Sequence, residues 1–493
     1  MTGADELGYL GVAELRGMLD RRELSARELT AASLDRIERL DDRLHSVIEL
    51  NPEALADADA SASHDGPLAG IPVLLKDNVD TMAPMHTTAG SLALADGFAA
   101  ADAPIVTAIR AAGAIILGKA NLSEWANYRS AGSTSGWSAV GGLTANPHDL
   151  SRSAGGSSSG SGAAVAAGLA PLAIGTETDG SISCPASLNG VVGVKPTVGL
   201  ASRTGIVPIS VSQDTPGPIA RSVPDAALLL AVIAGSDPAD EMTSRPGRPA
   251  KVDYVAAARP GRLDGLRIGV PSATSLFGYH RGMDAVVLAA IEVLADLGAE
   301  IIDEVDLPGI DQIEGAELTV MDHELKDGLA RYLATRPDGP RSLADLIAFN
   351  QEHADEELTW FGQEVFARAV STDGLQTAAY REARAKCIKA GRDDGIDGAL
   401  QTHRLDALAM PSYSPAWVSD LVLGDKIAGG CSTLPAVAGY PLLSVPCGTV
   451  PGPVAPLPVG LALTASAWSE PMLLRIAAAY EDAAPSIVRP TGI

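Results

Sequence analysis

Residues Ser153–Pro196 read SAGGSSSGSGAAVAAGLAPLAIGTETDGSISCPASLNGVVGVKP, and this stretch decides how the rest of the chain is interpreted. It contains eight Ser and nine Gly, but no aromatic residue and no His. Glycine lets the backbone approach a ligand closely, and hydroxyls offer polar contacts, so the composition favours a binding loop over a hydrophobic core. Apolar runs at 163–174 and 191–194 interrupt the stretch, which argues against a flexible Ser/Gly linker.

The stretch contains two polar turns, each next to a different kind of predicted element. Gly155–Gly160 precedes Ala163–Gly168, which is predicted to form a short helix, so its serines lie near a helix N-terminus. Leu172–Ile174 is predicted to be a strand and Gly175–Ile182 a polar turn that contains Ser181. A hydroxyl beside exposed backbone N–H groups is what an acyl-transfer nucleophile needs, because those groups can bind the developing oxyanion. The pattern G-x-x-x-x-G-K-[ST] is missing, which disfavours a nucleotide site.

Three pieces of the sequence together resemble the amidase signature family of serine hydrolases. They are GGSSSGS at 155–161, TETDGSIS at 176–183 and GIPVLLKDN at 70–78. The resemblance extends through most of the chain and is closest to bacterial peptide amidases, in particular at 121–138, 207–227 and 341–364.

The family pattern implies three catalytic residues in this chain. Ser181 resembles the nucleophile, Ser157 the bridging serine and Lys76 the terminal base. A lysine can act as a base only if it is neutral near pH 7, so burial or neighbouring groups must lower its pKa from about 10.4 by several units. Lys76 follows the apolar run Ile71–Leu75, which is predicted to be a buried strand.

The residues alone do not choose among several candidate bases. Lys119 and Lys195 also follow apolar runs. His is the usual base for a serine nucleophile, and His86 and His148 remain alternatives because they could be spatial neighbours. Only the family resemblance selects Lys76.

The resemblance also implies how the two serines are supported. The backbone N–H groups of Thr178, Asp179, Gly180 and Ser181 are expected to form the oxyanion hole. Ser158 is expected to support the network. A cis peptide bond is expected before Ser157.

Other polar and aromatic residues receive structural interpretations or remain open. The side chain of Asp179 is interpreted as structural, and Asp214 is expected to fix a loop. Glu124 and Arg129 are predicted to form a buried or partly buried ion pair. Three aromatic residues in an aromatic-poor chain either face the substrate or pack in the core: Trp125, Tyr128 and Trp137.

The composition excludes several kinds of partner. The net charge of −25 argues against binding to nucleic acid or to an anionic membrane.

The four Cys (Cys184, Cys387, Cys431 and Cys447) lie far apart, so neither a disulfide framework nor a metal site is predicted, although Cys184 could line the site. No cofactor is expected. No signal peptide or membrane span is evident, so a cytoplasmic monomer or homodimer is the expectation.

The alternation of apolar runs and helical patterns predicts an α/β fold. The resemblance implies one domain over 1–493, with a mixed, twisted β-sheet covered by helices on both faces. Its expected parts are N-terminal helices at 1–65, the signature core at 66–240, a helical cleft wall at 311–402 and a return to the sheet at 405–493.

The predicted reaction is hydrolysis of a carboxamide to a carboxylic acid and ammonia through an acyl-enzyme on Ser181. The subgroup resemblance implies the C-terminal amides of short peptides as substrates, and simple aryl or aliphatic amides remain open. An alternative is the transamidating subunit of a tRNA-dependent amidotransferase, which shares the signature but needs partner subunits.

Overall fold

The largest element of the fold is a mixed β-sheet of eleven strands, which come from most of the length of the chain. The computed structural model describes residues 4–61, 64–273, 276–313, 315–491 and 493. The strands are β1 (Val47–Leu50), β2 (Pro72–Lys76), β3 (Ile115–Ala120), β4 (Leu172–Glu177), β5 (Val192–Lys195), β6 (Thr215–Ala220), β7 (Arg267–Pro271), β8 (Glu300–Val305), β9 (Ala407–Pro411), β10 (Leu442–Val450) and β11 (Leu457–Thr464).

The strand order is β1-β3-β2-β4-β6-β5-β10-β11-β9-β7-β8. The neighbours β3, β2 and β4 run parallel, as do β9, β7 and β8, while the pairs between these two groups and the pair β1–β3 are antiparallel. The mixed α/β sheet expected from the sequence is therefore confirmed.

Helices cover both faces of the sheet. Successive side chains of a strand point to opposite faces. The helices are α1 (Ala4–Leu7), α2 (Val12–Asp20), α3 (Ala26–Leu44), α4 (Ala54–Ala60), α5 (Pro104–Ala111), α6 (Ser159–Ala166), α7 (Ser183–Asn189), α8 (Val223–Ile233), α9 (Tyr254–Ala257), α10 (Arg281–Asp296), α11 (Ala316–Thr335), α12 (Leu343–Glu352), α13 (Ala354–Glu357), α14 (Glu364–Val370), α15 (Ala378–Gly391), α16 (Ile396–His403), α17 (Thr433–Ala438) and α18 (Glu470–Ala483). In β2, Val73 and Leu75 join a core with helices α5, α8, α10 and α18, whereas Leu74 joins a second core with α3, α6 and α7.

Three local predictions are corrected by the structure. Residues 1–65 are not helical throughout, because β1 pairs with β3 between α3 and α4. The helix predicted over Ala163–Gly168 instead spans Ser159–Ala166, so it begins among the serines of the first polar turn. The strand predicted over Leu172–Ile174 extends through Glu177, because β6 continues to pair with it as far as Thr215.

The strand β2 brings Lys76 to the edge of the sheet at which the polar turns lie. Its five residues are all buried, as expected for a strand covered on both faces. In the pairing with β3, Leu75 lies opposite Lys119 and Lys76 opposite Ala120. Because adjacent paired residues share a face, the side chains of Lys76 and Lys119 leave opposite faces of the sheet.

Candidate active site

The Lys76 amine lies in a pocket of hydroxyl and carbonyl oxygens. Its Nζ lies 2.7 Å from Ser157 Oγ, 2.9 Å from Thr176 Oγ1 and 3.2 Å from the Thr176 carbonyl oxygen. Thr176 belongs to the extension of β4, and its Oγ1 also accepts a hydrogen bond from Asn78 Nδ2. The sequence-predicted lysine and bridging serine are therefore in direct contact.

The electrostatics of this pocket favour a neutral amine. Lys76 is fully buried, and burial lowers its pKa to about 7, against the opposing attraction of the Asp214 and Glu177 carboxylates. A buried ammonium loses its hydration, and hydroxyls replace only part of it. An amine with this pKa exchanges a proton near neutral pH.

Ser157 and Ser158 lie at the start of α6, beside the turn that carries Ser181. The peptide bond between Gly156 and Ser157 is cis, as expected from the family pattern. Ser158 N donates to the Ser181 carbonyl oxygen at 3.1 Å, and Ser158 Oγ donates to the Thr176 carbonyl oxygen at 3.2 Å. Ser158 thus joins the two polar turns to β4.

The Ser181 hydroxyl is free to meet a ligand. Within the part of the chain that the structure describes, no hydrogen bond is recorded for Ser181 Oγ, including any to Ser157 Oγ. The residue is 7% exposed and lines a cavity of about 140 Å³.

The turn Thr178–Ser181 presents unused backbone donors. Within the described ranges, the N–H groups of its four residues donate to no protein acceptor. Gly180 has φ +83°, and a Cβ there would lie 2.0 Å from Tyr413 Oη, so only glycine fits. All four residues line the same cavity as the Ser181 hydroxyl.

A buried carboxylate that sequence reasoning missed holds this turn from behind. Glu177 Oε2 accepts hydrogen bonds from the backbone N–H groups of Ile182, at 2.7 Å, and Ser183, at 2.8 Å. Burial raises the pKa of Glu177. The sequence carries no clear signal for this role, because Glu177 falls inside Gly175–Ile182, which is predicted to be a polar turn.

Two aspartates fix the flanks of the turn. Asp214 Oδ1 accepts from Thr178 Oγ1 at 2.6 Å, and its Oδ2 accepts from the N–H groups of Ile209 and Ser210, at 2.9 Å each, which confirms that it fixes a loop. Burial raises the pKa of Asp214 to about 6. Asp179 Oδ2 accepts from Thr433 Oγ1 at 3.0 Å, in line with a structural side chain.

The three candidate aromatic residues lie in different places. Tyr128 lines the cavity beside Ser181, and its Oη donates to Asp322 Oδ1 at 2.9 Å. Trp125 and Trp137 are buried and pack edge-on against Phe366 and Phe361, and neither is among the described residues that line this cavity.

The predicted ion pair of Glu124 and Arg129 is confirmed and contains a third member. Arg129 Nη1 lies 3.0 Å from Glu124 Oε1 and 3.3 Å from Glu357 Oε2, and all three side chains are fully buried. Glu357 comes from α13 and was not identified from the sequence.

The alternative bases bind elsewhere. Lys119 Nζ donates to the Val79 carbonyl oxygen at 2.7 Å, and Lys195 Nζ donates to the Tyr440 carbonyl oxygen at 2.6 Å. His148 Nε2 lies 3.0 Å from the Asn189 carbonyl oxygen, and His86 pairs with Glu49. Across the described residues, none of the four has a recorded hydrogen bond to Ser157 or Ser181.

A second cavity and a cysteine lie near the site. A larger cavity of about 570 Å³ is lined by Arg203, Asp214 and Tyr332 but not by Ser181, so size alone does not locate the candidate site. Cys184 lines the smaller cavity, and burial raises the pKa of its thiol. The described residues contain no group of three or more His, Cys, Asp or Glu suited to a metal ion. None of the helices in the described part of the chain combines the length and the hydropathy of a membrane span.

A family model described as Amidase matches residues 28–474, so the chain belongs to that family and is an amide hydrolase. The native peptide amidase from Stenotrophomonas maltophilia is 50% identical, with a TM-score of 0.92 over 97% of this chain and 98% of that chain. A probable amidase of Arabidopsis thaliana is 39% identical over 96% of this chain and 89% of its own length. A glutamyl-tRNA(Gln) amidotransferase subunit of Salinispora tropica is also 39% identical, over 97% of this chain and 98% of its own length.

Proposed function

We propose that this amidase hydrolyses the C-terminal carboxamide of short peptides through a Ser181 acyl-enzyme, with Ser157 and Lys76 as a proton relay. The observation that carries the proposal is the 2.7 Å contact between the buried Lys76 amine and Ser157 Oγ. The likeness to the Stenotrophomonas maltophilia peptide amidase supports the substrate class.

The relay carries a proton away from Ser181 during the attack and returns a proton to the substrate when the C–N bond breaks. Neutral Lys76 takes a proton from Ser157 as Ser157 takes one from Ser181, and Ser181 Oγ attacks the carboxamide carbon. The carbonyl oxygen gains negative charge, which the free N–H groups of Thr178–Ser181 stabilise. The relay then returns the proton to the amide nitrogen, the C–N bond breaks, and ammonia leaves.

Water completes the reaction on the acyl-enzyme. The same relay takes a proton from the attacking water, the ester bond to Ser181 breaks, and the carboxylic acid is released. Ser157 and Ser181 share no recorded hydrogen bond within the described residues, so the relay requires their two hydroxyls to come within hydrogen-bonding distance when substrate fills the cavity.

Ammonia release from a panel of peptide amides and simple amides tests the proposal. The account expects the purified chain alone to release ammonia from peptide amides faster than from aryl or aliphatic amides. Ser181→Ala is expected to remain folded, by circular dichroism and thermal unfolding, and to lose turnover. Substantial turnover by this variant, or a clear preference for simple amides, contradicts the proposal.

A transamidating subunit is the second candidate function, favoured by the 39% identity to the Salinispora tropica amidotransferase protein. The two functions differ in their need for partners. Gel filtration of the chain and ammonia release without added subunits separate them, because a transamidating subunit depends on its complex to use the released ammonia. Rapid hydrolysis of peptide amides by the isolated chain favours the peptide amidase.

A further inference from the structure

The segment Glu124–Arg129 has an uncommon backbone conformation beside the cavity. Three consecutive residues are left-handed: Trp125 has φ +49°, Ala126 +53° and Asn127 +70°. Residues other than glycine rarely adopt this region because it is strained, and such residues cluster where a ligand binds. The strained turn is therefore a candidate for holding a side chain in position to contact a ligand in the cavity.

Buried ionic contacts hold both ends of this turn. Glu124 Oε2 accepts from Ala139 N at 3.0 Å at one end, and Arg129 pairs with Glu124 and Glu357 at the other. The Arg129 guanidinium also lies over the Phe361 ring, 4.5 Å from its centroid. Removing one member of a buried charge cluster leaves the others uncompensated, so the cluster resists opening. The middle of the turn is thereby fixed in place.

Asn127 lies in the middle of this turn, and its side chain has no partner among the described residues. The residue lines the cavity that contains Ser181. Its Oδ1 is buried, and no hydrogen bond from the Asn127 side chain to any described residue is recorded. A buried amide oxygen without a donor destabilises the unliganded protein, so this acceptor is available to a ligand that supplies a donor.

Three neighbouring polar side chains of the cavity are already engaged, whereas Asp179 Oδ1 is, like Asn127 Oδ1, buried without a hydrogen-bond partner among the described residues. Tyr128 Oη bonds to Asp322, Ser135 Oγ donates to Asp425 at 2.5 Å, and Tyr413 Oη lies 2.5 Å from Ser432 Oγ. A carboxamide side chain offers both an acceptor and a donor, which is the complement of a second amide group. Asn127 is thus suited to bind an amide.

The scissile carboxamide already has partners in the proposed reaction. Its carbonyl oxygen meets the N–H groups of Thr178–Ser181, its carbon meets Ser181 Oγ, and its nitrogen receives the proton from the relay. We propose that Asn127 binds the acylamino group next to the scissile carboxamide and so sets a preference for N-acylated amino-acid amides. This inference rests on the proposed function and names the group that distinguishes a peptide amide from a simple one.

The test compares N-acetyl-L-leucinamide with 4-methylpentanamide, which has the same side chain but lacks the acetylamino group. The variants Asn127→Gly and Asn127→Asp both tolerate a left-handed backbone, so each should fold, as thermal unfolding will verify. Asn127→Gly removes both hydrogen-bonding atoms, and Asn127→Asp keeps an acceptor but removes the donor. In wild type, kcat/KM is expected to favour N-acetyl-L-leucinamide.

The expected result is a fall in that preference of about 10–100-fold in Asn127→Gly, mainly through KM, with a smaller fall in Asn127→Asp. An unchanged ratio of the two kcat/KM values in both variants overturns the role of Asn127 while leaving the proposed function intact. An equal loss on both substrates also overturns it, because it shows a contact to the scissile group or a purely structural role. If wild type releases ammonia from neither compound, the proposed function itself fails, and the inference falls with it.

Discussion

Two buried lysines at the ends of neighbouring parallel strands differ in what surrounds them. Lys119 on β3 lies 3.5 Å from Asp77 Oδ1, whereas Lys76 on β2 contacts Ser157 and Thr176 and has no recorded carboxylate within 4.0 Å among the described residues. Burial lowers the pKa of both lysines, and the Asp77 and Asp80 carboxylates act on Lys119 in the opposite direction. The difference teaches that burial alone does not make a base, because Lys76 contacts a hydroxyl that can pass on a proton, whereas Lys119 is held by a carboxyl group and a backbone carbonyl oxygen.

The largest expected effect separates the two lysines by activity. Lys76→Met removes the proposed base and is expected to lower kcat by about 10⁴-fold, comparable with the loss of a member of a catalytic triad. Lys119→Met is the matched control, since Lys119 makes no recorded contact with either serine within the described chain. Its folded fraction should keep a kcat close to that of wild type, measured as ammonia release corrected for the fraction folded. Equal losses in the two variants remove the distinction.

The next effect separates the two lysines by stability. Lys119→Met leaves the buried Asp77 carboxyl without its Lys119 partner and is expected to lower the free energy of unfolding by about 3–5 kcal/mol. Lys76→Met removes an amine that must lose its proton to be buried, so it should raise the free energy of unfolding by roughly 2–4 kcal/mol at pH 7. Urea unfolding of both variants measures the two changes.

The higher free energy of unfolding expected for Lys76→Met should depend on pH. The folded pKa of Lys76, about 7, lies below the unfolded value of 10.5, so the unfolded state binds more protons between these values. Wild-type stability should therefore rise with pH across this window, and the advantage of Lys76→Met should shrink toward pH 10.5. An advantage that grows with pH contradicts a lowered Lys76 pKa.

The smallest expected effect concerns the charge that acts on Lys76 from Asp214. In wild type, kcat/KM should fall tenfold per pH unit well below about pH 7, because protonated Lys76 cannot accept a proton. Asp214→Asn removes an attraction that raises the Lys76 pKa, so the midpoint should move to lower pH by less than about one unit. Asp225→Asn serves as the control, since Asp225 is buried at α8 and is not among the charges that act on Lys76. A midpoint that moves to higher pH in Asp214→Asn contradicts this role of the carboxylate.

The sequence predicted central strands such as β2 and β4 and missed the edge strands for a physical reason. Central strands such as β2 are apolar throughout, which is a clear pattern. The strands β1 and β8 lie at the two ends of the sheet, and five of the six side chains of β8 are exposed or half-buried, two Glu and one Asp among them. An edge strand faces solvent and carries charges, so its sequence does not resemble a buried strand.

Some residues of the candidate site could be predicted from a sequence motif, whereas others are identified only in the folded structure. The contact of Lys76 with Ser157 was predicted by the family motif, whereas the residues alone left three lysines open. Glu177 and Glu357 act through buried carboxylates from separate parts of the chain, and Asn127 is identified by an unsatisfied oxygen and a left-handed backbone. These properties depend on tertiary packing and have no local sequence pattern.

The most direct test of the account is the pKa of the Lys76 amine itself. NMR of the protein labelled with ¹⁵N at the lysine side chains, compared with Lys76→Met, assigns the Lys76 Nζ resonance by its absence in the variant. The account predicts that this resonance titrates with a midpoint near pH 7. A resonance that stays protonated up to about pH 10, as in an exposed lysine, would contradict the proposed base.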